Sequence, residues 1–581
     1  MTTAVTAEEI LACTRDELAH EPKVVSVAGR TIALFDTGDR VYAVDNRCPH
    51  MGFPLSRGTV RDGILTCHWH HARFDLAGGC TFDPFADDVA SFRVDVRGDE
   101  VWLDPRPIEE DRRTHWLAKL EEGLEQNIRL VLAKAVVGLS AVDATGSVVE
   151  RAALFGVRNR AAGWGDGLSI LTAMGSVLPS LAEPDRPRAL YHGVIHVARN
   201  TTGQPPSFDL QPLSTSERRP EVFRAWFRRF IENRSEDAAE RCLRTAVDVG
   251  GSPRELADML FAACTDHLFM DTGHALDFSN KACELLDQIG WEHADEVLPS
   301  LIPGLASAQR MEETSSWQHP VDLPRLLREA NVALQEAVRQ GRERLEGWDG
   351  HLHLAEVILD EEPTVSLDAM VGAVRDGVPL TDLSATVAYA AARRPLHFSV
   401  SNEFADWNTV HHTFTYTNAV DQAMRRAPSP ELARGILDGA MSVYLERFLN
   451  VPKQPMPHAS AAKPEAEAVL AEFDRQQRVD ETAQLVTDLL AADRQAEVIE
   501  TLGHALLRED AGFHSFQIYE AALRQHRNFA GRPEGNHVLV GAARFLTAHA
   551  PTVRAANQTY EIAMRLHRGE ALHAEVGDNA D

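Results

Sequence analysis

Residues 46–60, NRCPHMGFPLSRGTV, and residues 67–79, CHWHHARFDLAGG, carry the pattern that decides how the amino-terminal part of this chain folds. Cys48-Pro49-His50 is a C-x-H pair, and Cys67-His68-Trp69-His70 is a C-x-x-H set. Two cysteines and two histidines can hold zinc or a [2Fe–2S] cluster. A C-x-H pair puts one thiolate and one imidazole on a single tight loop, so Cys48 and His50 reach different irons, and Cys67 and His70 repeat the arrangement. Zinc-finger spacing, two close cysteines and then two histidines, does not fit. The flanking segments KVVSVAGRTIALFDTGDRVYAV (23–44) and VASFRVDVRGDEVWLD (89–104) alternate apolar and polar residues in short runs broken by turns. They predict small antiparallel strands, with the Cys/His loops between them.

These loops resemble those of the Rieske family, and the likeness covers about residues 20–105. The resemblance implies a [2Fe–2S] cluster with Cys48 and Cys67 on the buried iron and His50 and His70 on the exposed one. Two departures stand out. Met51-Gly52-Phe53 has no cysteine next to His50, where respiratory members carry cross-linking cysteines, and His71 occupies the place of a usual loop glycine. A cluster with few extra hydrogen-bond donors is expected near the low end of the Rieske range, about −150 mV. That suits an oxygenase-type ferredoxin. His68 and His71 read as solvent-facing loop residues, and Cys80 as a small buried one.

The chain has 581 residues, 44% apolar and 25% charged, which excludes a mainly disordered or fibrous polypeptide. Lys and Arg number 58 against 86 Asp and Glu, a net charge of −28. Such a surface repels phosphate backbones and anionic membranes, so neither nucleic acid nor a membrane is an expected partner. The best candidate for a membrane span, LVLAKAVVGLSAV (130–142), is too short and is interrupted by Lys134. MTTAVTAEEI lacks the pattern of a secretory signal, and the expected location is cytoplasmic. Of the seven cysteines (Cys13, Cys48, Cys67, Cys80, Cys242, Cys264 and Cys283), three crowd into residues 48–80, which points to metal and not to disulfides.

Beyond the linker DPRPIEEDRR (104–113) the texture becomes helical, as in LAKLEEGLEQNIRLVLAKAVVGL (117–139) and ELADMLFAACTDHLFM (255–270). The predicted fold is therefore multidomain. A small all-β Rieske domain, residues 1–107 with a short amphipathic lead-in over residues 1–20, precedes a large all-α, histidine-rich catalytic domain, residues 108–581. His274-Ala-Leu-Asp-Phe278-Ser279-Asn280 matches His412-Thr-Phe-Thr-Tyr416-Thr417-Asn418, an internal repeat around residues 250–300 and 390–445.

A Rieske centre fused to a large domain normally feeds a second redox site. The helical region has no G-x-G-x-x-G unit and no C-x-x-C-H, so electrons are expected from an external flavin/NAD(P)H reductase or ferredoxin reductase. Histidines are dense on its apolar helices. LYHGVIHVA carries His192 and His196, and TVHHTFTYTNA carries His411 and His412. TDHLFMDTGHALDF carries His267, Asp271 and His274, predicted on one helical face, and GNHVLVGAARFL carries His537. Neutral imidazole with carboxylate suits non-haem iron, with one or two ligands per helix of a bundle. Each such histidine also has a plain structural reading as a satisfied core residue, and Asp271 as an ion-pair partner or an orienting group.

The order YHGVIHVA, DWNTVHHTFTYTNA, GNHVLVGAARFLTAHA also resembles, in patches over residues 165–570, the questin oxidase-like family. Its members are all-helical and act on polycyclic aromatic polyketides, and some are similar to non-haem iron oxygenases that use several histidines and a carboxylated lysine. The resemblance implies His192, His412 and His537 as iron ligands, and the repeat adds His274. The segment after His537 has no lysine, and Lys281 is the substitute at hand. With His267, the expected ligand pool of a second, mononuclear iron is His192, His267, His274, His412 and His537. The function expected is an iron-dependent monooxygenase or dioxygenase. Its [2Fe–2S] cluster would relay electrons to an iron that activates O2 and oxidises a small apolar, aromatic substrate. The competing reading is an electron-transfer or redox-sensing Rieske module on a non-catalytic helical scaffold.

Overall fold

The computed structural model describes residues 9–27, 29–108, 111–160, 163–340, 345, 347–359, 362–570 and 572. The alternating runs form strands β1 (Ile10–Thr14), β2 (Lys23–Val27), β3 (Arg30–Asp36), β4 (Val41–Asp45), β5 (Thr59–Arg61), β6 (Ile64–Thr66), β7 (Arg73–Asp75), β8 (Ser91–Arg97) and β9 (Glu100–Pro107). One six-stranded sheet has the order β1-β9-β8-β4-β3-β2, and a three-stranded sheet has the order β5-β6-β7. Successive residues of a strand face opposite sides. Ile32 and Leu34 of β3 accordingly pack with Phe92, Val101 and Leu103, whereas Ala33 and Phe35 join Leu55, Leu65 and Phe74. That second core also contains Cys48 and Cys67.

Residues 1–8 of the expected amphipathic lead-in lie outside the described residues. The part that follows is a strand: β1 pairs with β9, Ile10 opposite Leu103 and Thr14 opposite Glu100. The backbone groups along β9 need partners, and an added edge strand supplies them.

Helices α1 (Arg112–Gln126) and α2 (Arg129–Ala141) follow β9. They approach closely at Gly138, where a Cβ would run into the Trp116 ring. The chain divides into two compact units, residues 1–148 with 556–581, and residues 149–555. The second unit is helical, and the helices that matter for function are α3 (Arg186–Thr201), α4 (Pro253–Cys264), α5 (His274–Ile289), α6 (Phe404–Arg426), α7 (Phe513–Asn528) and α8 (Pro533–Ala548). Among the described residues, no helix is long and apolar enough to cross a membrane.

The segment between α4 and α5 corrects the expectation of one continuous face through His267, Asp271 and His274. Phe269, Asp271 and Thr272 have φ of 43°, 50° and 54°, so the right-handed helix ends at Cys264 and restarts at His274.

Deep in this unit α5 and α7 are joined by buried charges. Lys281 Nζ lies 2.8 Å from Glu284 Oε2 and 2.6 Å from Glu520 Oε2, and Arg524 closes the group on both glutamates. Lys281→Met should leave these carboxylates short of a cation and lower the unfolding free energy by about 3 kcal/mol. The expected readout is a lower denaturant midpoint at an unchanged slope.

Candidate functional site

The two Cys/His loops share one backbone design. Cys48 N donates to Phe53 O at 2.8 Å and Gly52 N to Cys48 O at 2.7 Å, while Cys67 N donates to Ala72 O at 2.9 Å and His71 N to Cys67 O at 3.0 Å. The fourth residue after each cysteine is left-handed, with φ of 80° at Gly52 and 61° at His71. Glycine takes that conformation freely, and His71 takes it at a cost of about 1 kcal/mol. This is why a glycine would be usual there.

The thiols of Cys48 and Cys67 are unbridged, almost fully buried and hydrogen-bonded to each other. Accepting from Cys48 lowers the Cys67 thiol to about 6, and the same bond, with burial, raises that of Cys48. The His50 and His70 rings meet edge-on at 4.7 Å. Burial, then the charge of Lys134, lowers His50 to about 4, and its Nδ1 is buried without a partner. His70 and Trp69 are exposed. Two desolvated thiols sharing a proton, beside an imidazole with an unmatched buried nitrogen, form an S2N2 donor set that fits a [2Fe–2S] cluster. His68 and His71 face solvent as expected. Cys80 does not follow the expectation: it is exposed, carried outward by the turn through Gly78 and Gly79.

Among the described residues, one further set of metal-ligating groups converges, in the helical unit: His274, His412 and His514. They come from the first residue of α5, the middle of α6 and the first turn of α7. Their ligand atoms all lie within 4.8 Å of one another. His412 Nε2 and His514 Nε2 are 3.0 Å apart, and the His274 and His412 rings meet edge-on at 4.8 Å. Asn408, one turn before His412 on α6, accepts from His514 Nδ1 at 3.0 Å. An amide oxygen can only accept, so the proton stays on Nδ1 and the Nε2 lone pair faces His412. Burial lowers His274 to about 4 and His514 to about 3, and lowers His412 as well. All three rings are therefore neutral at pH 7, the form that binds metal.

One turn deeper, Gln517 of α7 donates to Asp277 of α5, whose carboxyl burial raises to about 7. Gln517 Oε1 also lies 3.5 Å from Nε2 of the buried His411. Rungs therefore run down the two helices from His274 and His514, through Asp277 and Gln517, to Lys281 and Glu520. Beside His514 and Asn408 opens a cleft of about 210 Å³ with Phe404, Phe473, Leu506 and Leu546 among its walls. Behind His412, Thr413 donates to Glu446, which burial raises to about 8.

The structure brings together two of the five histidines expected to bind a second iron, His274 and His412, and adds His514. His192 on α3 is buried with its Nε2 3.0 Å from the Leu507 carbonyl oxygen and its ring against Phe516. His537 on α8 pairs through Nδ1 with the Tyr389 hydroxyl at 2.7 Å. His267 has Glu312 Oε1 at 2.6 Å from Nδ1 and Glu232 Oε2 at 2.5 Å from Nε2. Burial opposes its charge, but the two carboxylates outweigh burial and raise its pKa, which favours the protonated ring over the metal-binding one. Lys281 is not poised for carboxylation either, since that needs a neutral amine and both its glutamates favour the ammonium. His514 carries no motif that separates it from the other 24 histidines; its neighbours Phe513 and Phe516 are the local hint.

A family model for the Rieske [2Fe-2S] domain matches residues 8–93. The ferredoxin component of the naphthalene 1,2-dioxygenase/salicylate 5-hydroxylase systems of Ralstonia sp is 32% identical over 95 residues, covering 16% of this chain and 89% of that one. The ferredoxin component of the naphthalene 1,2-dioxygenase system of Pseudomonas aeruginosa is 30% identical over 81 residues, covering 14% and 78%. The 4beta-methylsterol monooxygenase of Methylococcus capsulatus is 47% identical over 63 residues, covering 11% of this chain. The chain spans 17% of the length of that monooxygenase. Through its amino-terminal domain the chain belongs to the Rieske [2Fe-2S] family.

The buried Glu446 makes a pH-dependent prediction. Its folded pKa is raised above the unfolded value, so between pH 4.5 and about 8 the unfolded chain loses a proton that the folded one keeps. Its contribution to stability therefore falls as pH rises through that window and levels off above it. Denaturant titrations should find Glu446→Gln gaining stability relative to wild type from pH 5 to pH 8.

Proposed function

We propose that this chain is a Rieske-type oxygenase. Cys48, His50, Cys67 and His70 hold the [2Fe–2S] cluster, and His274, His412 and His514 hold a mononuclear non-haem iron in the helical unit. Electrons come from an external reductase, and the substrate is small, apolar and aromatic. The observation that carries this reading is the convergence of three neutral imidazoles from three separate helices, with ligand atoms within 4.8 Å of one another. Several relatives of the Rieske domain bear oxygenase or oxygenase-system names, which adds support.

When bound, the cluster supplies single-electron transfer and the iron a centre for O2 chemistry. The protein supplies the rest. Burial keeps the second proton off each of His274, His412 and His514 and so leaves one ring lone pair on each available. Asn408 holds the proton of His514 at Nδ1 and so aims its Nε2. Asp277 and Gln517 tie the floor of the site. Phe404, Phe473, Leu506 and Leu546 give the adjoining cleft walls that favour an apolar ring system and exclude water. At the Rieske loops, exposed His70 and Trp69 offer an edge where a reductase can approach.

Iron and acid-labile sulfide analysis of anaerobically purified protein tests the reading. About three irons per chain are expected, two in the cluster and one at the histidines. His274→Ala and His514→Ala should each remove one iron, leave sulfide and the reduced-cluster resonance intact, and abolish the resonance of the nitric-oxide-treated ferrous centre. Wild-type protein with two irons per chain would instead favour an electron-transfer module on a helical scaffold.

A further inference from the structure

Lys134 interrupts an apolar stretch at 130–142, and the oxygenase reading gives it no task. It lies on α2 among Val131, Leu132, Ala133, Ala135, Val136 and Val137, all buried, and is itself 7% exposed. A lysine on such a helix usually extends its ammonium to water. This one ends instead beside a cavity of about 190 Å³ bordered by Cys48, Pro49, Asp87 and Trp116. Its Nζ donates to the carbonyl oxygen of Pro49 and, at 3.4 Å, to that of His50. Both belong to the first ligand loop.

The charges around it matter for what this ammonium does. Asp87, the buried acid on that cavity, pairs with His115 Nε2 at 3.0 Å and accepts from Asp88 N at 2.8 Å. Asp45 is held by Arg47 at 3.1 Å. Lys119 lies 4.0 Å from Asp88 and 3.0 Å from Glu122. Among the described residues no carboxylate stands within ion-pair distance of Lys134. Its hydrogen bonds therefore go to two backbone dipoles that lead to the loop of Cys48 and His50, while Asp87 acts on its charge only through space, without direct contact.

We propose that Lys134 sets the redox poise of the [2Fe–2S] cluster: its buried ammonium, held on the Pro49 and His50 carbonyl oxygens, favours the reduced form and raises the midpoint potential above what the two loops alone would give. Reduction brings in one electron and makes or breaks no bond. It adds one negative charge inside a low-dielectric core, where a nearby fixed positive charge acts strongly. Loops with no cross-linking cysteines have few donors of their own, and the helix that follows the β-domain provides the missing positive charge. The proposal rests on the cluster alone and stands whether or not His274, His412 and His514 bind iron.

The test is a mediated dithionite titration of the full-length protein at fixed pH, followed by the paramagnetic resonance of the reduced cluster. Lys134→Met removes charge and donor. Lys134→Gln keeps a donor for the carbonyls but removes the charge, and carries the comparison should the methionine variant not assemble a cluster. Lys134→Arg keeps the charge. The neutral variants are expected to lower the midpoint by about 59 mV, a tenfold fall in the one-electron equilibrium. Lys134→Arg should stay within twofold of wild type, with the g values unchanged throughout. A fall smaller than twofold in the neutral variants, a rise, or an equal fall in Lys134→Arg would overturn the proposal, since a purely structural lysine leaves the potential where it was.

Discussion

An ammonium taken out of water must be met by acceptors or by opposite charge, and two lysines among the described residues are buried. Lys281 sits between Glu284 and Glu520 and ties α5 to α7. Lys134 sits on α2 and meets the carbonyl oxygens of Pro49 and His50. Each fixes an element that carries a cluster of metal-ligating side chains. The rungs above Lys281, first Asp277 with Gln517 and then His274 with His514, follow helical spacing on both helices, so one buried ion group sets their register. The cost of burying it is recovered only when every member finds its partner, which makes the arrangement all-or-none.

The same physics divides the histidines of the helical unit. His274, His412 and His514 are half-buried, with no carboxylate among the described residues against them, and desolvation keeps them neutral. His267 lies between Glu232 and Glu312, which favour its protonated form. His192 and His537 have their ring nitrogens engaged by a backbone carbonyl and a tyrosine hydroxyl. A group of neutral imidazoles facing one another repays its desolvation poorly unless something binds between them, and this is the physical core of the second-iron reading. The Asn408 bond to His514 belongs to the same logic, because a ligand whose remote nitrogen is pinned keeps its lone pair on the site.

The Rieske domain was legible because its information is local. Each ligand loop is a turn closed by its own backbone, from Cys48 to Phe53 and from Cys67 to Ala72, and the strands on either side alternate in plain sight. The left-handed fourth residue could be anticipated too, since His71 stands where a glycine would be at ease. The helical site was half legible. The repeat singled out His274 and His412, whose rings do meet. Periodicity misled at His267, where three left-handed residues break the helix that the apolar spacing implied. His514 had no pattern of its own, because its role comes from the packing of α7 against α6 and not from its neighbours in the chain.

The amino-acid sequence by itself determined the class of the first domain, the helical nature of the remainder and the position of the two Cys/His loops between strands, since strand alternation, helical periodicity and loop spacing are properties of adjacent residues. Only the tertiary structure decided which histidines of the helical unit face one another, which of them are neutral, and where the two buried lysines end. Those outcomes depend on burial and on partners drawn from distant segments, such as Glu520 for Lys281, Asn408 for His514 and Pro49 for Lys134. Desolvation and counter-charge are set by what surrounds a group in space, and a linear pattern does not record that.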